Sequence, residues 1–325
     1  MEEIRREVCP VCGSLRDTSA ANSYDCPVCG LENAYVRLFA GESSRALRRR
    51  QEKEAAHRLI RTRIGQYAGA LAYDGSAAAL IDPQTHRLTV TGNDGSVREQ
   101  ENVRQVSAGG RTTVTLFLDG SVSVSGGGGY GEEEAERFSG IRHVLAGPNC
   151  VYAVTEDGTV LTAGSPADPS VRTWTDVQSL ACGAYHVIGL RRDGTVRIAG
   201  QLLDEEVCRA VEGWRNVTAI AAASDCSLGL HADGTVSFAG RSGDMRREAI
   251  FWQDVAAIAA DSSYAVGLTK DGRVLLAGSC APFLDMGRAR AREWTDVVAI
   301  ACGRSGIAAL TASLSILRTG AAAHS

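Results

Sequence analysis

Hydrophobic and polar positions along most of the chain alternate in short runs separated by glycine-containing turns. Runs such as 187–190 (VIGL) and 196–198 (VRI) have the apolar, β-branched composition of short strands. Between these two runs, Asp193-Gly194 supplies the positive backbone angles of a tight hairpin turn. The pattern therefore predicts β-hairpins through most of the chain.

The same hairpin pattern recurs with a nearly constant period. Seven glycines end successive copies at intervals of 34–42 residues: Gly92, Gly126, Gly164, Gly200, Gly240, Gly278 and Gly320. All four tryptophans occupy one position of the repeat: Trp174, Trp214, Trp252 and Trp294. One copy cannot bury its apolar faces alone, so seven all-strand copies of about 40 residues predict a closed seven-bladed β-propeller. We expect residues 63–75 to complete the last sheet and close the ring.

The repeat also resembles a known family. One copy carries the pattern in full, at Trp174, Asp176, Val177, Ala181, Cys182, Gly183, His186, Leu190, Asp193, Gly194, Thr195 and Val196. Over residues 63–325 the chain resembles the regulator of chromosome condensation superfamily, most closely its bacterial branch. The resemblance implies a seven-bladed propeller that works by binding proteins: nucleotide exchange on a small GTPase, chromatin binding or β-lactamase inhibition. The Gly-x-Asn-x-x-Gly-Gln-Leu-Gly motif of the eukaryotic branch is not found, which argues against exchange activity.

A different signal lies at the front of the chain, where CPVCG occurs twice with 13 residues between the two Cys-x-x-Cys pairs. Four thiolates in two such pairs favour a tetrahedral Zn²⁺ site, whose ligands would be Cys9, Cys12, Cys26 and Cys29. Iron bound as in rubredoxins and a redox role are the alternatives. Residues 1–40 contain few large apolar side chains, so we predict a zinc ribbon in which metal binding and folding are one event.

Residues 41–62 form a third block, rich in Ala, Leu, Glu, Arg and Lys, which predicts a helical linker. Arg48, Arg49 and Arg50 lie within it, either as a solvated face or as a contact for an acidic partner.

Composition narrows the class of protein. The chain has 325 residues, ten cysteines and a net charge of −4, with no apolar run long enough to span a membrane. The charged N-terminus is unlike a secretory signal, so we expect a cytoplasmic protein with reduced thiols. Neither nucleic acid nor a membrane surface is the default partner for this charge balance.

No catalytic set is evident in the sequence. The GGGGYG segment at 126–131 matches a nucleotide-binding pattern, but no βαβ unit surrounds it and four glutamates follow, so we interpret it as an elongated loop between blades. His186 is expected to be hydrogen-bonded structure. Cys150, Cys182, Cys226 and Cys302 are expected to be packing residues.

The variable connections between copies remain as a candidate binding surface, expected to gather on one rim of the propeller. They span residues 127–140, 165–173, 201–213, 241–251 and 279–293. The candidate partner-binding residues are Tyr130, Glu132, Glu133, Asp204, Glu205, Arg246, Arg247, Phe283, Met286, Arg288 and Arg290.

The sequence thus predicts an all-β protein with a zinc ribbon (1–40), a helical linker (41–62) and a propeller (63–325). We expect a non-enzymatic, monomeric scaffold or adaptor whose rim loops bind a protein partner. Two alternatives are a nucleic-acid-associated regulator, using the ribbon and the arginine-rich helix, and an enzyme inhibitor, using the propeller rim.

Overall fold

The computed structural model describes residues 6–8, 15–17, 54–74, 76–166, 168–200, 204–241, 243–261, 263–278, 288–303 and 306–319. The chain divides into two compact units, Met1–Leu59 and Ile60–Ser325. In the first unit, strands β1 (Arg6–Val8) and β2 (Leu15–Asp17) pair antiparallel. The four predicted zinc ligands and the three arginines at 48–50 lie outside the described residues. Helix α1 spans 54–66 and ends within the second unit.

The second unit consists of seven antiparallel sheets, each formed by one continuous stretch of chain. Blade 1 contains β3 (Leu71–Tyr73), β4 (Ala77–Ile81), β5 (Leu88–Gly92) and β6 (Val97–Gln100). Blade 2 contains β7 (Val103–Gly109), β8 (Thr112–Phe117) and β9 (Val122–Gly126), and blade 3 contains β10 (Ile141–Ala146), β11 (Cys150–Thr155) and β12 (Val160–Gly164). Blade 4 contains β13 (Val177–Cys182), β14 (His186–Arg191) and β15 (Val196–Gly200).

Blade 5 contains β16 (Val217–Ala222), β17 (Ser227–His231) and β18 (Val236–Ala239). Blade 6 contains β19 (Val255–Ala260), β20 (Tyr264–Thr269) and β21 (Val274–Gly278), and blade 7 contains β22 (Val297–Gly303), β23 (Gly306–Thr311) and β24 (Ile316–Arg318). The prediction of an all-β, seven-bladed propeller is confirmed.

The first strands of the blades form the inner ring. Each packs against the first strand of the next blade, and β22 of blade 7 packs against β3 of blade 1, which closes the circle. The closure differs from our expectation, because residues 71–73 pair with β4 in the first sheet and not with the last sheet. The last sheet takes all three of its strands from its own copy of the repeat.

The Asp-Gly turns shape one edge of the ring, which we call the lower face. In blade 4, Asp193 Oδ1 accepts hydrogen bonds from the backbone N–H (2.9 Å) and the hydroxyl (2.6 Å) of Thr195, and Gly194 has a φ of 77°. These two bonds, the hydroxyl first, hold the pKa of Asp193 below its usual value. The Gly194 carbonyl then accepts from the N–H of Val217 in blade 5, which ties each turn to the next blade.

Packing within each blade explains why tryptophan and glycine recur together. A Cβ atom added to Gly189, Gly229 or Gly267 would come within 2.7–2.8 Å of the ring of Trp174, Trp214 or Trp252, respectively. Trp174, Trp214 and Trp252 therefore lie against the middle strand of their own blade, so close to the glycine that a side chain there would have to displace the ring. Blade 7 has Ala309 at this position, and blade 3 pairs the smaller Phe138 with Ala153.

Among the described residues, five of the connections between copies contain a short helix. Four are 3₁₀ helices and one is α2, at Glu132–Arg137, Pro169–Thr173, Glu205–Glu212 (α2), Met245–Phe251 and Arg288–Glu293. Each of these helices contacts the outer strand of the preceding blade. Several also contact the next blade and so bridge the two blades. Each of these five connectors also buries an apolar residue between blades, so the connectors take part in the packing of the ring.

The seam between blades 7 and 1 has no such connector among the described residues. Arg318 instead donates to the Thr91 carbonyl (2.9 Å) and to Asn93 Oδ1 (3.0 Å), and the Tyr73 hydroxyl donates to the Thr319 carbonyl. Ile60 and Ile64 of α1 are buried in the hydrophobic cluster that also contains Tyr73. No helix in the described part of the chain has the length and apolarity needed to cross a membrane.

Candidate protein-interaction site

A cavity opens at the centre of the edge opposite the Asp-Gly turns, which we call the upper face. It measures about 520 Å³ and is lined by the turns that join the first and second strands of successive blades. A Cβ at Gly109 or Gly183 would lie 2.1 Å or 1.8 Å from the carbonyl oxygen of Ala146 or Ala223 in the neighbouring blade. Close backbone approach between blades therefore builds this wall, and it requires glycine.

A second hollow of about 310 Å³ adjoins the cavity between blades 3 and 4 and shares Pro148, Gly183 and Ala184 with it. Tyr185 lines this hollow, and 58% of the residue is exposed. Large amphipathic rings beside a concave surface are the usual anchors of protein interfaces. Tyr185 was not among the predicted residues. Its signal in the sequence is that the equivalent positions of the other six copies carry no aromatic residue: Ser76, Arg111, Asn149, Asp225, Ser263 and Ser305.

The candidate residues predicted from sequence are distributed over several connectors and do not form one patch. The exposed ones are Tyr130, Glu133, Asp204, Glu205, Arg247 and Arg290. Phe283 and Met286 lie outside the described residues, as does the side chain of Arg288. Glu132 and Arg246 are buried, at 1% and 5% exposure, so these two are corrected from partner contacts to internal ones.

Glu132 folds back onto the GGGGYG segment and occupies part of its backbone donors. Its carboxylate accepts hydrogen bonds from the backbone N–H groups of Gly128 (3.0 Å) and Tyr130 (2.9 Å). Burial opposes the charge of Glu132, but these N–H groups outweigh it and lower its pKa. The N–H groups of the loop are thus occupied by an anion of the chain itself, which agrees with our interpretation of a structural loop.

Arg246 holds a connector against two blades. Its guanidinium donates to Asp244 (2.5 Å), to Asp225 of the blade 5 turn (2.6 Å) and to the Asp261 carbonyl at the end of β19 (3.2 Å). Burial opposes the charge of Arg246, but the hydrogen bond to Asp244 and the nearby Asp225 raise its pKa. The group is an internal ion cluster, saturated by its neighbours.

A serine–histidine pair raises the question of catalysis. His186 Nε2 lies 2.9 Å from Ser227 Oγ, the spacing of a nucleophile and its base. However, His186 and Ser227 are 1% and 0% exposed, and His186 Nδ1 has no hydrogen-bond partner to orient the ring. A substrate cannot reach this pair, and the prediction that His186 is hydrogen-bonded structure is confirmed.

His143 links two inner strands. Its Nε2 accepts from the backbone N–H of Leu180 at 3.2 Å, and burial lowers its pKa to about 4. Gln105 occupies the equivalent position in blade 2 and bonds both the N–H and the carbonyl of Val144 (3.0 and 2.9 Å). Side chains of the inner ring thus replace a backbone ladder between blades.

Acidification from pH 7 to pH 5 is expected to destabilise the propeller through these histidines. The pKa of His143 and of His186 is about 4 in the folded protein, chiefly because of burial, against 6.5 ordinarily. The unfolded chain therefore binds more protons, and stability is lost as the pH falls from 6.5 towards 4, by about 2 kcal/mol per histidine at pH 5. Urea unfolding at both pH values measures the loss.

His143→Gln is the matched variant for this prediction, because it copies the arrangement of Gln105. It should fold and lose about half of the pH dependence between pH 7 and pH 5. An unchanged pH dependence would assign the effect to other groups.

No group of three or more potential metal ligands occurs in the described part of the chain. The thiols of Cys150, Cys182 and Cys226 have their pKa raised to about 12 by burial, which fits the packing role expected for them.

Neither a protein-family model nor a curated protein matches the sequence. Solved structures do match. The receptor kinase CR4 ectodomain of Physcomitrella patens has 16% identity and a TM-score of 0.59, over 77% of this chain and 72% of that one. The ACR4 ectodomain of Arabidopsis thaliana has 16% identity and a TM-score of 0.56, over 77% and 93% of the two chains.

Yeast RCC1 (Prp20), solved bound to Kap60, has 16% identity and a TM-score of 0.55, over 72% of this chain and 77% of that one. At this identity the likeness shows the fold alone. The second unit of the chain is therefore an RCC1-like seven-bladed β-propeller.

Proposed function

We propose that this protein is a non-enzymatic scaffold or adaptor whose propeller binds a partner protein on its upper face. The observation that carries the proposal is the 58% exposure of Tyr185 beside two adjoining hollows. An exposed aromatic side chain that borders a concavity gains most by burial against a partner. The burial of the Ser227–His186 pair supports a binding role over a catalytic one.

The test is affinity purification of the full chain from nuclease-treated native lysate, followed by quantitative mass spectrometry. We expect one protein to be retained near stoichiometry by the wild type and reduced at least ~10-fold by Tyr185→Arg, because a buried charge without a partner is costly. Phe251→Arg is the matched control, since Phe251 is 77% exposed on a connector and lines neither hollow.

Equal retention by Tyr185→Arg and the wild type would contradict the upper-face site. Loss of binding in Phe251→Arg alone would move the site to the connectors, where the sequence analysis placed it.

We also propose that Cys9, Cys12, Cys26 and Cys29 bind one structural Zn²⁺. The support is the donor set, together with the antiparallel pairing of strands β1 and β2, which flank Cys9 and Cys12 in the sequence. We expect atomic emission to detect one zinc ion per chain, and a chain that was purified without chelators and contains no zinc would contradict the proposal.

We further predict that the protein is monomeric and cytoplasmic.

A further inference from the structure

Five of the seams between blades are filled by the connectors of the chain itself. Each connector places a small or branched apolar residue in the seam with 0% exposure: Ala135, Val171, Val211, Ala249 and Ala291. Three residues later comes an aromatic residue at the start of the next blade: Phe138, Trp174, Trp214, Trp252 and Trp294. In blades 4, 5 and 6, whose second strand carries a glycine, the tryptophan ring lies against that glycine.

The connector between blades 1 and 2 does not do this. Its sequence from Val97 to Val103, VREQENV, aligns without gaps on VRTWTDV from Val171 to Val177, but Gln100 replaces the tryptophan. The segment forms strand β6 and pairs with β5, so it stays with blade 1. Val97 is consequently 58% exposed, although its counterpart Val171 is fully buried.

An open groove of about 460 Å³ results between blades 1 and 2. This volume lies within the ~300–1,000 Å³ of typical ligand sites. Leu88 and Val106 form an apolar floor, at 3% and 6% exposure, and Thr115 occupies the register position that carries the tryptophan-facing glycine in blades 4–6. Exposed Gln100 and Ser125 lie at its margin.

The groove is also continuous with the upper cavity. The two share Tyr73, Asp74, Ala108 and Thr113 among their lining residues. A protein docked on the upper face can therefore extend a segment into the groove.

We propose that this groove binds a short segment of a partner protein that carries a small or branched apolar residue followed three residues later by an aromatic one. In five seams a connector of the chain itself supplies this pair of residues. The seam between blades 1 and 2 has no such pair. The inference rests on the proposed function in that the partner is a protein, but it does not depend on Tyr185.

The probe is a fluorescein-labelled peptide of residues 168–176, DPSVRTWTD, added to the full chain and followed by fluorescence anisotropy. We expect saturable binding that the same peptide with Trp174→Ala loses. Ser125→Trp in the protein places a large side chain at the groove and should weaken binding at least ~10-fold. The exposed control Ser170→Trp, on another connector, and Tyr185→Arg should leave the affinity unchanged.

Thermal unfolding of each variant establishes that it is folded before its affinity is compared. Absence of saturable binding to the wild type would overturn the proposal, as would equal affinity of Ser125→Trp. Light scattering supplies a further test. A dimer that Ser125→Trp dissociates would overturn it in favour of a second copy of the chain as the occupant.

Discussion

Trp252→Ala is expected to lower the free energy of unfolding by about 3–5 kcal/mol, the usual cost of removing a buried aromatic side chain from a core. Trp252 is 9% exposed and lies on Gly267 of β20, with ring carbons 2.8 Å from where a Cβ would be. The glycine beneath the ring has no side chain that could move into the vacated space. The variant therefore leaves a cavity between the 3₁₀ helix and its blade.

Phe251→Ala is the control, because it removes a large aromatic group one residue away from Trp252. Phe251 is 77% exposed, so its loss should change stability by less than about 0.5 kcal/mol. Urea unfolding followed by far-UV circular dichroism measures both variants without relying on tryptophan emission. Equal effects of the two substitutions would show that Trp252 does not support the blade.

Arg246→Ala is expected to cost a similar amount, about 3–5 kcal/mol, for an electrostatic reason. The side chain of Arg246 is 6% exposed and that of Asp244 is 10% exposed, with the guanidinium and carboxylate 2.5 Å apart. Removing the arginine leaves Asp244 buried without its counter-charge, and it leaves Asp225 without a bond of 2.6 Å. The connector between blades 5 and 6 then loses the hydrogen bonds that Arg246 makes to both blades.

Arg247→Ala provides the matched control, since it deletes the same group from the next, exposed position. We expect a change within about 0.5 kcal/mol for it. The triple variant Arg246→Met, Asp244→Asn, Asp225→Asn should regain part of the loss, because no unpaired charge stays buried. A triple variant less stable than Arg246→Ala would contradict the electrostatic explanation, because methionine fills more of the space than alanine does.

Much of the propeller could be predicted from sequence because its signals are local. An Asp-Gly turn closes on its own threonine, as Asp193 does with Thr195, and needs nothing distant. The residue before the inner strand follows the same rule in blades 4–7: Asp176, Asn216, Asp254 and Asp296 have φ values of 55–58°. Asn and Asp tolerate this left-handed conformation better than other side chains, which accounts for their recurrence in the repeat.

The candidate site was less predictable because burial in a seam is a tertiary property. Glu132 and Glu133 are adjacent in a run of glutamates, yet one is 1% exposed and the other faces solvent. Arg246 and Arg247 are likewise adjacent, and the first is buried whereas the second is exposed. Only the packing of two blades around a connector decides which neighbour turns inward. The groove was not predicted for a related reason. Gln100 is a single difference from the repeat pattern in the sequence, and the sequence does not show that its segment pairs with β5 as strand β6.

Closure without strand exchange has an evolutionary consequence. In every blade the strands come from one uninterrupted stretch of the chain, and the first and last blades meet through side chains such as Arg318 and Tyr73. A tandem duplication or loss of about forty residues therefore adds or removes one whole sheet and leaves no strand unpaired. Such a gene can change its number of blades in a single recombination event, after which every seam of the ring takes a new angle and the junction at Arg318 has to form again.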